Sequence, residues 1–259
     1  MPNEYDVQRL RNDTFVEQVD LLDEVDSTNS YAARKLVAEF TGSTPWLVLA
    51  QRQTSGRGRG TNQWWAGDGS LAFSLIVDAQ DVPPASLPIA SLTAGLAMCR
   101  AIEQMAPAAD VALKWPNDVY LFERKVCGIL MELPPVQPAR LIIGVGVNVN
   151  NSLGDGPAEI QRTATSLVDR LELEFDRTEV LVHALQQLER HLDSLRTGAD
   201  SLVDQWQAYC LLSGRTVEID AAGQRIHGRC LGIEADGALL VRTPQEDKRL
   251  FGGTVVSFY

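Results

Sequence analysis

The sequence has few cysteines, few histidines, little positive charge and no long apolar run. Its four cysteines, Cys99, Cys127, Cys210 and Cys230, are scattered, none within metal-ligand spacing of another. The histidines His183, His191 and His227 form no HxxxH pair. Both patterns argue against a structural zinc site. No stretch approaches the roughly 18 apolar residues of a membrane span. Residues 1–22 are polar and charged, unlike a secretory signal. Scattered thiols without such a signal point to a reducing cytoplasm. With 23 Lys and Arg against 34 Asp and Glu, the net charge is -11, which does not steer a chain toward nucleic acid.

What is present is an ordinary globular composition, 45% hydrophobic and 22% charged over 259 residues. That length suits one main domain with a small appendix. Residues 26–40 read as a helix capped by Asp26, Ser27 or Thr28, with Ala33, Leu36, Val37 and Phe40 on one face. Residues 46–50 and 71–77 read as buried strands. The Gly-, Arg- and Trp-rich stretch between them is a long loop, the kind that carries function. Residues 86–105 form a helix that buries Leu92, Leu96, Cys99 and Ile102. Strands follow at 111–113, 119–122, 126–133 and 141–149, with the turn PPVQPAR between the last two. A helix over 178–195 presents Leu181, Leu185, Leu188, Leu192 and Leu195, and a short one holds Leu202, Trp206 and Cys210. Strands at 216–220, 225–234, 238–242 and 254–259, parted by AAG, ADG and GG turns, make a small β-barrel or sandwich. The order predicts an α+β chain, a mixed sheet with helices rather than an alternating βαβ array. Residues 1–212 form the main domain and 213–259 the β appendix.

Four segments carry candidate chemistry. In the first, Gln53 to Gly60, glycines expose backbone N–H groups and Arg57 and Arg59, with Arg52 just before, supply charge. Such a loop suits a phosphate or carboxylate; a solvated RG-rich loop of an RNA binder is the plainer alternative. It is not a Walker A loop, lacking the Gly-Lys-Ser/Thr ending. In the second, Lys114 to Asp118, Pro116 fixes a turn that presents Asn117 and Asp118 at a strand end. In the third, Arg124 to Glu132, Lys125 opens a buried strand and Gly128 marks a close approach. In the fourth, Gly144-Val-Gly146-Val-Asn148-Val-Asn150 has the look of a strand pressed against a ligand, and it does not meet the dinucleotide fingerprint GxGxxG.

Taken together, in this order, these segments resemble the biotin–protein ligase family. Its landmarks are an STN helix start, a GRGR-type loop, a KWPND turn and a K-x-x-GIL strand. They stand here as Ser27-Thr28-Asn29, Gly56-Arg57-Gly58-Arg59, Lys114 to Asp118, and Lys125 to Leu130. The resemblance covers the chain from about residue 20 to its end. It implies a class II synthetase-like catalytic domain with an SH3-like C-terminal β-barrel. It also implies an ATP-dependent ligase that makes biotinyl-5′-AMP and transfers biotin to a lysine of a carboxylase's biotin carboxyl carrier domain. By position, Lys125, Arg57, Arg59 and Asp118 become the catalytic set. Ser27, Thr28, Asn29, Gln53, Gly56, Arg57, Gly58, Arg59, Lys125 and Gly128 bind biotin. Arg59, Trp64, Lys114, Asn117, Asp118, Lys125 and Asn148 serve ATP, with Mg²⁺ arriving on the nucleotide rather than in a protein cage.

Two departures stand out. The family's further loop arginine is replaced by Asn62. Some members carry an N-terminal winged helix-turn-helix, for which the stretch before Ser27 is too short; a monofunctional enzyme is expected, with no specific DNA partner and no membrane partner. The alternatives are a lipoate or octanoyl–protein ligase of the same fold, and a non-catalytic biotin- or RNA-binding module.

Overall fold

The structure is a computed structural model that describes residues 5–38, 42–78, 87–135, 139–197 and 202–259. After α1 (Val7–Asp13) come β1 (Gln18–Val25), α2 (Thr28–Val37), β2 (Trp46–Gln53), β3 (Leu71–Asp78) and α3 (Leu87–Met105). Then follow β4 (Val111–Lys114), β5 (Asp118–Leu121), β6 (Arg124–Glu132) and β7 (Arg140–Val147). These seven strands form one sheet in the order β1-β2-β3-β7-β6-β5-β4, parallel between β1 and β2 and antiparallel elsewhere. The sheet is mixed, as the order of elements predicts.

Its two faces differ. Leu47, Leu49, Phe73, Leu75, Ile143 and Val145 point into the main core, where α3 packs with α6 (Arg177–Thr197). Leu92, Leu96, Cys99 and Ile102 of α3, and Leu181, Leu185 and Leu188 of α6, are buried there as their helical spacing requires. The opposite face carries Trp46, Val48, Ile76 and Ile142, covered by Ala32 and Leu36 of α2. Beyond that small cluster the same face carries small residues on β3 and β7, namely Ala72, Ser74, Gly144 and Gly146. Short helices α4 (Ala158–Thr163) and α5 (Leu167–Leu171) lead to α6, and α7 (Leu202–Tyr209) ends this part.

The chain then builds β8 (Thr216–Ala221), β9 (Gln224–Ile233), β10 (Leu239–Arg242), β11 (Asp247–Leu250) and β12 (Thr254–Phe258). They form a five-stranded antiparallel sheet in the order β11-β10-β9-β8-β12. It is fastened to the main sheet: the Trp115 indole N–H donates to the Gly237 carbonyl at 3.1 Å. Val217, Ile219 and Leu239 belong to the same apolar cluster as Leu113 and Trp206.

Several elements are not read from the sequence, among them α1, β1, β11 and the short helices α4 and α5. α1 buries a single side chain, Leu10. β1 is an edge strand whose residues are all part-exposed or exposed, so no alternation marks it. β11 is four residues long, mostly exposed. On α2, Val37 is 54% exposed rather than facing the core with Leu36. Phe40, Ser86 and residues 136–138 of the PPVQPAR turn lie outside the described residues.

Candidate active site

The small-residue face forms a floor. Register pairs Gly128 of β6 with Gly146 of β7, Leu130 with Gly144, and Ser74 and Ala72 of β3 with Gly144 and Gly146. The glycines are required by what lies on them. A Cβ at Gly146 falls 2.4 Å from Cε2 of the Trp64 indole, and one at Gly144 falls 2.2 Å from Oδ1 of Asn29. The backbone must stay bare for both side chains to lie against the sheet.

Lys125 reaches this floor through an irregularity. In a regular strand, residues three apart point to opposite faces, so Lys125 and Gly128 cannot share one. The β5–β6 register shifts between Val119 and Tyr120, pairing them with Cys127 and Lys125, so that Val126 is left as a bulge. The bulge re-aims Lys125. Its Nζ lies 3.3 Å from a Cβ placed on Gly128 and 5.8 Å from the centre of the Trp64 ring. The same amine pairs with Asp118 Oδ1 at 2.7 Å. Asp118 opens β5 opposite Gly128. The turn before it is pinned to β6 by Asn117, whose Nδ2 donates to the Ile129 carbonyl at 2.6 Å and whose own carbonyl accepts from Ile129 N–H at 3.0 Å.

One end of the cleft is a polar network. Ser27 caps α2, accepting from Ser30 N–H. Just before it, hydrogen bonds from Arg34 hold the Asp26 carboxyl down at a pKa of about 2, which anchors the helix start. Gln53 Oε1 accepts from both the N–H (2.8 Å) and the hydroxyl (3.2 Å) of Thr28. The fully buried Ser74 hydroxyl lies 2.8 Å from Thr28 Oγ1 and 2.5 Å from Asn29 Oδ1. Asn29 Nδ2 then donates to Glu132 Oε2 at 2.9 Å.

Positive charge is gathered from four side chains on loop, turn and strand. Arg57 meets Glu132 bidentately at 2.7 and 3.0 Å. Arg59 donates to the carbonyl of Gly253, from the turn between β11 and β12. Lys114 lies 3.1 Å from the Tyr120 hydroxyl and under the Phe258 ring. Burial lowers the Lys114 pKa, nearby Lys125 adds to the fall, and Asp118 opposes it. Among the described residues of the cleft and its ion pairs, Asp118 and Glu132 stand against Arg57, Arg59, Lys114 and Lys125, so the cleft is locally positive on an acidic protein.

The cleft brings together Ser27, Thr28, Asn29, Gln53, Arg57, Gly58, Arg59, Trp64, Lys114, Asn117, Asp118, Lys125 and Gly128. Asn62 lines it as well. Three expected residues are placed elsewhere. Asn148 is buried, donating to the Thr165 carbonyl and accepting from Asn151. Gly56 lies behind the cleft, its carbonyl taking the Trp64 N–H, where a Cβ would strike the Trp64 carbonyl at 2.5 Å. Arg52 turns outward to Glu24. Sequence reasoning gave no role to Ser74, Glu132 or the 253–255 segment of the β appendix. Nothing local marks them, since each becomes functional only through partners distant in the chain. Among the described residues, no three His, Cys, Asp or Glu side chains gather as a metal cluster, and no helix is long and apolar enough to cross a membrane.

A glycine-floored cleft with a polar pocket at one end and cations converging from loop, turn and strand has the charge to suit anionic ligands. Residues 21–148 match the Biotin/lipoate A/B protein ligase family and residues 212–258 the Biotin protein ligase C terminal domain. The chain belongs to the biotin protein ligase family. It is 32% identical over 228 residues to the biotin–[acetyl-CoA-carboxylase] ligase of Mycobacterium tuberculosis, covering 86% of this chain and 82% of that one. It is 31% identical over 212 residues to the bifunctional ligase/repressor BirA of Bacillus subtilis, a match that covers 81% of this chain and spans 65% of that relative's length. The Aquifex aeolicus biotin protein ligase in complex with biotin and ATP superposes with a TM-score of 0.82 at 30% identity, over 94% of this chain and 99% of that one.

Proposed function

We propose that the chain condenses biotin with ATP to biotinyl-5′-AMP and transfers the biotinyl group to a lysine of a biotin carboxyl carrier domain. In the first step a biotin carboxylate oxygen attacks the α-phosphorus; the O–P bond forms, the bond to the β-phosphate bridge breaks, and pyrophosphate leaves. In the second the carrier amine attacks the carbonyl, an amide forms, and AMP leaves. The obstacle in the first step is repulsion between two anions, so catalysis is mostly placement and charge neutralisation. The observation that carries this reading is Lys125 in one cleft with Arg59 and the Thr28–Gln53–Ser74 network.

In this reading Ser27, Thr28, Asn29 and Gln53 take the ureido ring. Lys125 and Arg59 bridge the carboxylate and the α-phosphate. Trp64, Lys114 and Asn117 face the nucleotide, and Asp118 receives the proton that the carrier lysine sheds. Mg²⁺ would come with the ATP phosphates, and Asp118, which lines the cleft, is the carboxylate that would help hold it. Loop closure keeps water from the mixed anhydride.

The test is pyrophosphate release from ATP with biotin, lipoate or octanoate. Biotin-dependent release is expected. Release with lipoate or octanoate alone would move the chain to the related lipoate-type ligases, and none with any acid would make it a binding module.

A further inference from the structure

The strongest feature outside the roles above is Glu132, the last residue of β6. Its Oε1 lies 2.7 Å and its Oε2 3.0 Å from the two terminal nitrogens of Arg57, and Oε2 also accepts from Asn29 Nδ2. Asn29 in turn is fixed by Ser74 and by the Leu130 carbonyl. A continuous polar path therefore runs from the buried hydroxyl of β3, across α2, to the end of β6 and out to the arginine loop. The loop has few other anchors. Thr54 and Ser55 bond the backbone of Val25 and Asp26 at its start, Trp64 bonds Gly56 at its end, and Gly58 with Asn62 is internal to it. Between those points, among the described residues, Arg57 and Arg59 are the side chains that hydrogen-bond the body of the protein, Arg57 to Glu132 and, at 3.5 Å, to the Ser30 hydroxyl, and Arg59 to Gly253.

The Arg57 fork is filled by Glu132. A guanidinium that satisfies one carboxylate bidentately does not grip a second in the same way. We propose that Glu132 is a positioning residue: it clasps Arg57 and so holds the arginine loop down over the acyl end of the cleft, leaving Arg59 and Lys125 as the groups that meet the reacting anions. This rests on the biotin-ligase reading for its ligand, but the clasp itself is a property of the loop.

Glu132→Gln keeps an oxygen for Asn29 and removes the charge that holds Arg57. The half-lives of bound biotinyl-AMP, formed in place from biotin and ATP and then chased with unlabelled biotin, should be compared for wild type, Glu132→Gln, Arg57→Met and the double variant. Each single change is expected to speed escape about tenfold, the value of one half-exposed charge-assisted pair. The double variant should be no faster than either single one, because both break one contact. Raising the salt should speed escape from wild type by a larger factor than from Glu132→Gln, in which only the Arg59 and Lys125 contacts remain to be screened. Multiplying effects in the double variant, or an unchanged escape rate in Glu132→Gln, would overturn the clasp.

Trypsin gives a readout free of ligand. Cleavage after Arg59 should be faster in Glu132→Gln than in wild type, at an unchanged melting temperature, and equal cleavage rates would also overturn the proposal. Wild type that forms no biotinyl-AMP would overturn the functional reading instead, while the trypsin comparison would still decide the clasp.

Discussion

Gly146→Ala isolates the proposed nucleotide side of the cleft. The new Cβ meets Trp64 at 2.4 Å (Cε2), 2.6 Å (Nε1) and 2.8 Å (Cζ2). Ordinary carbon–carbon contact begins near 3.5 Å, so the indole must rise by about 1 Å. Overpacking of that kind costs roughly 1–3 kcal/mol. The indole hangs from a loop, whereas Gly146 sits in the middle of a paired sheet between β3 and β6, so the loop yields first. The cost then appears as weaker nucleotide binding, between about 5-fold and 150-fold. The proposed ureido end is built from Thr28, Gln53 and Ser74, which Trp64 does not contact in any hydrogen bond. Calorimetry with biotin alone and with ATP alone should therefore show ATP affinity falling and biotin affinity nearly kept. Gly144→Ala, two residues along the same strand face, should do the opposite, since its Cβ strikes Asn29. If both variants weaken both ligands equally, or Gly146→Ala leaves ATP binding untouched, the division of the floor into two halves is wrong.

Lys125→Met should cut biotin-dependent pyrophosphate release by at least about 10²-fold, the usual loss for one electrostatic stabiliser, with melting near wild type because its pair with Asp118 is partly solvent-exposed; retained turnover removes Lys125 from the mechanism. Trp115→Phe removes the donor to the Gly237 carbonyl at a residue only 2% exposed, and urea unfolding should show a loss of about 1–3 kcal/mol. His191 is buried with Nδ1 2.8 Å from the Gln187 carbonyl, and burial first, then Arg100 and Arg190, push its pKa below 6.5. The unfolded chain binds this proton more readily, so stability is full above about pH 6.5 and falls as pH drops toward the folded pKa. His191→Gln should flatten that part of the stability–pH curve, and an unchanged slope would assign it to other groups.

Some of this was legible from residue order alone. The 3.6-residue spacing of Leu181, Leu185 and Leu188 and of Leu92, Leu96 and Cys99 marks the two helices that cover one face of the sheet. Glycine at 144 and 146 and the Arg-rich loop mark where ligand and charge belong. Position along the chain cannot say where a side chain is aimed or which partner occupies it. The three-residue spacing of Lys125 and Gly128 puts them on opposite faces until the Val126 bulge turns one of them over. Asn148 stands in a glycine-rich run suited to ligand contact, yet its amide is spent on Thr165. Arg57 and Glu132, 75 residues apart, become one unit only when β6 and the loop are folded together. Local pattern sets the elements because backbone periodicity is a property of neighbours. Pairing of charges and hydrogen bonds across the cleft is a property of distance in space, which only the tertiary fold assigns.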